Sequence, residues 1–88
     1  MEEMEQAEDE FAMQALVEAV ENQISDGHPR EAGLVMLALT SSGVEHEVAL
    51  EQMADVLAYH ISVSLEKSES FDVNAYARDL LKLSEGDE

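Results

Sequence analysis

Positive charge is what this chain has least of: four Lys and Arg against 21 Asp and Glu, for a net charge of −17 and a pI near 4.1. That shortage excludes direct binding to nucleic acid or to an anionic membrane, since both need clustered cations to meet phosphate. Cysteine is absent, which removes disulfides, thiolate metal sites and cysteine nucleophiles together. No long apolar run exists either. The longest, Ala32 to Leu39 with Gly33 inside it, is far shorter than the 20 or so residues that span a bilayer. No basic segment followed by an apolar stretch stands near Met1, so no secretory leader is expected. At 88 residues a single domain is expected, burying about 60% of its unfolded surface. A soluble cytoplasmic protein is the resulting expectation.

What is present is acid, unevenly placed. Residues 1–10 hold Glu2, Glu3, Glu5, Glu8, Asp9 and Glu10, and residues 84–88 hold Glu85, Asp87 and Glu88. The remaining twelve acids and four bases give residues 11–83 a net charge of −8, within the range of about 2–8 units usual for a soluble domain of this size. The ends read as solvated acidic tails, 1–7 and 84–88, flanking one domain over 8–83. A DNA-mimicking decoy would spread its carboxylates over a folded surface instead. Adaptation to high salt is a further plain explanation of the acidity.

Hydrophobic periodicity divides the domain into four helices. Met13, Leu16, Val17, Val20 and Ile24 recur at helical spacing between about Glu8 and Ser25, and Gly27 is placed to cap that helix in the left-handed region. Pro29 suits the first turn of a second helix reaching Ser41, where its missing N–H is no loss. This second segment is apolar nearly all round through Leu34, Val35, Met36, Leu37 and Leu39, so it is expected to be the most enclosed element. Gly33 costs about 1 kcal/mol relative to Ala in a helix interior, and close approach of a neighbouring helix is the expected reason. A third helix runs from about Glu45 to Lys67, with Ser42 and Glu45 spaced as a capping box. Ala49, Met53, Val56, Leu57, His60 and Ser64 form its inner side. Asp72 is the expected N-cap of a fourth helix ending near Leu83, with Phe71 placed to staple onto Tyr76. Val73, Tyr76, Ala77, Leu80 and Leu83 form its inner stripe. No segment alternates with period two. The fold class is all-α: a small four-helix bundle-like domain whose short connections favour antiparallel neighbours.

Candidate chemistry rests on three histidines. His46 and His60 lie fourteen residues apart on the third helix, about 21 Å at 1.5 Å per residue, too far to share a metal. An antiparallel second helix would bring His28 toward His60, and with Asp26 these make the one metal constellation the chain offers. Its plain reading is a loop histidine and a core histidine satisfied by a backbone, Ser or Asp partner. The Glu47–Glu51–Asp55 ridge is a candidate docking face for a basic partner. Its plain reading is a solvated helix face, because like charges at i,i+4 slightly oppose helix formation. Calcium loops need backbone oxygens around a bend with glycine, and the ridge has none. Neither a nucleophile pattern around the serines nor a glycine-rich phosphate loop is found. The expectation is a protein that is not an enzyme and carries no cofactor.

From about Val17 to Leu83 the chain resembles the C-terminal part of a family of uncharacterised bacterial proteins known only as a domain of unknown function. The residues that carry the resemblance are Asn22-Gln23-Ile24 with Asp26 and Pro29, Gly43 with His46-Glu47, and Phe71-Asp72 with Tyr76, Leu80 and Leu83. Members tend to carry a second His four residues after the one matching His46, and another in the first helix; here Leu50 and Val17 stand at those positions. The resemblance implies a helical fold in a bacterial, intracellular setting and implies no activity.

The reading that joins these features is a non-catalytic interaction or accessory module with a basic protein partner. Self-association through the first or third helix is expected to help cover the apolar second helix. The competing readings are an acidic decoy that occupies a nucleic-acid-binding protein, and a His-dependent metal binder.

Overall fold

The structure, a computed structural model, describes the backbone of residues 2–85 and the side chains of residues 13–85. Four helices follow one another: α1 (Glu2–Asp26), α2 (Arg30–Ser41), α3 (His46–Lys67) and α4 (Val73–Ser84), with no strand among the described residues. The all-α, four-helix reading is what the structure shows. At 1.5 Å per residue α1 is about 37 Å long, which accounts for the 40 Å long axis of the molecule. It begins at Glu2, six residues before the expected start, and so takes in residues read as the N-terminal tail. Carboxylates in a first turn favour this extension, since they face the positive end of the helix dipole. Residue 1 and residues 86–88 of the two expected tails lie outside the described residues.

The connections are short and locally specified. Gly27 takes φ +76° and ends α1, with the Gly27 and His28 N–H groups both donating to the Gln23 carbonyl. Pro29 stands at the N-cap of α2, one residue earlier than expected. Asp72 caps α4 as expected, its carboxylate accepting from the Ala75 N–H at 3.1 Å. Phe71 packs edge-on against Tyr76 with ring centroids 5.5 Å apart, completing the staple. The capping box expected of Ser42 and Glu45 does not form. Ser42 is the C-cap of α2 and its hydroxyl donates to the Leu39 carbonyl at 2.9 Å, while Glu45 takes the N-cap of α3 without a side-chain bond. With α3 beginning at His46, Glu45 itself takes the N-cap position, and the Ser42 hydroxyl bonds back to α2.

The core is built from one stripe of each helix: Val20 of α1; Ala32, Val35, Met36 and Leu39 of α2; Ala49, Leu50, Met53, Ala54 and Leu57 of α3; and Tyr76 and Leu80 of α4. Met13, Leu16, Val17 and Ile24 pack against it at the spacing read from the sequence. α2 and α3 each touch the other three helices, and α1 and α4 are not direct neighbours. Tyr76 bridges them, its hydroxyl donating to Gln23 Oε1 at 2.7 Å.

Three expectations about packing are corrected. α2 is not the enclosed element. Leu34 is 54% exposed and Leu37 is 65% exposed, while α3 buries the longer stripe. A helix apolar on both sides offers periodicity no means of choosing which side turns inward, and the core takes the side with Val35, Met36 and Leu39. Val73 of α4 is also largely exposed, being at the first turn, outside the contact with α2 and α3. Finally, no helix approaches Gly33: a β-carbon there would meet nothing within 4 Å. Gly33→Ala is therefore expected to raise stability by about 0.5–1 kcal/mol, by reducing the backbone freedom of the unfolded chain. Chemical denaturation of the two proteins checks this directly.

Candidate functional site

The two histidines expected to approach each other, His28 and His60, line different clefts. His60 is buried in the middle of α3, and its Nε2–H donates to Asp79 Oδ2 of α4 at 2.6 Å. The second Asp79 oxygen lies 3.4 Å from Lys82 Nζ. The bond from His60, with Lys82 adding to it, holds the Asp79 carboxyl below the usual carboxylate range. The rings of Tyr59, Phe71 and Tyr76 surround the imidazole edge-on at 5.2–6.5 Å. His60 is thus the core histidine with an Asp partner that its plain reading described. His28 is exposed and lines a different cleft, between the start of α2 and the start of α4, with Gln23, Phe71 and Tyr76. His46 is exposed at the start of α3. Among the described residues no three His, Asp or Glu side chains are grouped so as to hold a metal ion.

Beside His60 a cleft of about 360 Å³ collects Lys67, Arg78 and Lys82, three of the chain's four cations, with Glu69, Asp72 and Asp79. Asp72 is engaged as a helix cap and Asp79 by His60 and Lys82. Cations and carboxylates match in number, so the cleft has no net attraction for an ion of either sign. Its charges follow from the helix ends instead, Lys67 and Lys82 lying in last turns where the dipole favours them.

The acidic ridge has a different setting. Glu47 and Glu51 are exposed on α3 and face Glu18 and Glu21 of α1 across a groove of about 450 Å³, which Met13, Gln14 and Val17 also line. None of the four carboxylates has an ion-pair partner among the described residues. Asp55, also exposed, is not part of the groove. The sequence reading named the α3 half of this site and missed the α1 half. Glu18 and Glu21 fall on the polar side of α1 in the sequence, and only the packing of α1 beside α3 brings them to this groove.

The charge is segregated on a larger scale. α1 carries nine acids and no base, and α3 carries four acids and Lys67. α2 has only Arg30 and Glu31, and α4 has Arg78, Asp79 and Lys82. Among the described residues no helix is long and apolar enough to cross a membrane. Leu50 is fully buried and Val17 half-buried, so both positions serve packing in this chain. No family model, curated protein or solved structure matches the chain.

Proposed function

We propose that this protein is a non-catalytic interaction module whose α1–α3 groove takes a basic, partly apolar segment of a partner protein. The observation that carries the reading is the pairing of four unpartnered carboxylates, Glu18, Glu21, Glu47 and Glu51, with the apolar side chains of Met13 and Val17 in one groove. Lys and Arg ends of an incoming segment would meet the carboxylates while its apolar residues cover Met13, an adaptable side chain suited to such contacts.

Calorimetry with an amphipathic Lys- and Leu-containing helical peptide tests the proposal. Exposed ion pairs contribute about 0.2–1 kcal/mol each. Glu47→Gln with Glu51→Gln is therefore expected to weaken binding by about tenfold, and Asp55→Asn to leave it unchanged. Salt should weaken the wild-type affinity more than that of the double variant. Equal binding by all three proteins would overturn the groove as the site. The decoy reading is the case in which the basic partner is itself a nucleic-acid-binding protein, and duplex DNA would then displace this chain from it.

A further inference from the structure

We propose that the exposed face of α2 is the contact surface for a second copy of this chain, packed antiparallel across a two-fold axis between Leu37 and Ala38. Arg30, Leu34, Leu37, Ala38 and Ser41 are all exposed and follow helical spacing along one side of α2, opposite the buried Ala32, Val35, Met36 and Leu39. A helix apolar on both sides is normally covered on both, and the four helices of one chain cover one side of α2.

Charge selects the occupant. From Ala32 to Val44 there is no charged residue, in a chain where 28% of residues are charged. Two copies meeting through α1 or α3 would set carboxylates against carboxylates, so those helices, the expected sites of self-association, are the least suited to it. Meeting through α2 places the acidic helices of each copy away from the contact. Shape selects the direction. The stripe is large at its N-terminal half (Leu34, Leu37) and small at its C-terminal half (Ala38, Ser41). An antiparallel copy sets Leu34 against Ser41 and Leu37 against Ala38, large against small in both directions, as an isologous contact requires. Parallel copies would set leucine on leucine and leave a gap at the small end. In the antiparallel arrangement each Arg30 also comes to the C-terminal end of the partner helix, where the helix dipole favours a cation.

One face of a 12-residue helix buries less than the roughly 800 Å² per partner of a standard interface, so the dimer is weak and self-repulsion opposes it at low salt. Sedimentation equilibrium from about 10 μM to 1 mM, spanning the range of weak association, is expected to show a monomer–dimer equilibrium. The dimer fraction should rise between low and high NaCl and vanish in Leu37→Glu, with the circular dichroism of that variant unchanged. Because the chain has no cysteine, introduced thiols report geometry without interference. Ala38→Cys lies at the axis and should form a disulfide-linked dimer on oxidation. Ser41→Cys should not link to itself, its two copies being about 10 Å apart along the helices, and should link to Leu34→Cys when the two variants are mixed. A monomer at all concentrations and salts, a dimer indifferent to Leu37→Glu, or self-linking of Ser41→Cys in place of Ala38→Cys would each overturn the proposal.

Discussion

Leu50→Ala is expected to destabilise the protein by about 2–5 kcal/mol, and Leu37→Ala by no more than about 0.5 kcal/mol. Leu50 has no exposed surface and is among the largest fully buried side chains. Its truncation removes apolar contacts and leaves a cavity that the surrounding core can close only by moving. Leu37 points to solvent over most of its surface, so losing it changes little in the monomer. Urea melts at micromolar concentration, where copies do not meet, separate the two effects. The opposite order would place α2 at the centre of the fold and the packing described above would be wrong.

The second large effect is expected at Tyr76 in alkali. This side chain is fully buried, touches Phe71 and His60 edge-on, and donates to Gln23 across the molecule. Burial pushes its phenol up from 10.0 to about 12. A folded-state value raised above the unfolded one means that the neutral phenol stabilises the fold fully below pH 10. That contribution is lost as pH rises from 10 to about 12. Tyr76→Phe is therefore expected to cost about 1 kcal/mol near neutral pH, through the bond lost to Gln23, and to abolish that part of the alkaline loss. Melting temperatures of the two proteins followed from pH 8 to 12 decide it. Identical alkaline limbs would show that Tyr76 is not the group that titrates.

Which parts of the fold were legible in the sequence follows from the range of the forces involved. Asp72, Phe71 and Tyr76 are within five residues of one another, so cap and staple were readable as local chemistry. Gly27 was readable because a left-handed position after a helix favours glycine on steric grounds alone. The inner stripes of α1 and α3 were readable because each has a polar side to contrast with. α2 lacks that contrast, and nothing local says that Leu37 rather than Met36 stays outside. The partners of His60 and Tyr76 come from 19 and 53 residues away, so the sequence supplied the need for a partner and not its identity. The acidic groove divides the same way. Glu47 and Glu51 stand out as a ridge, whereas Glu18 and Glu21 join them only once α1 is laid beside α3.

The segregation of charge makes the field around the molecule most negative over α1 and α3 and weakest over α2 and α4. On the function proposed above, a cationic partner would feel this field before contact and be turned, while still diffusing, toward the side that holds the groove. Capture would then depend on ionic strength chiefly through the rate of encounter, and the lifetime of the complex on how well apolar side chains seat on Met13 and Val17. A partner lacking apolar residues would arrive as fast and leave sooner, so selectivity among cationic proteins would reside in residence time.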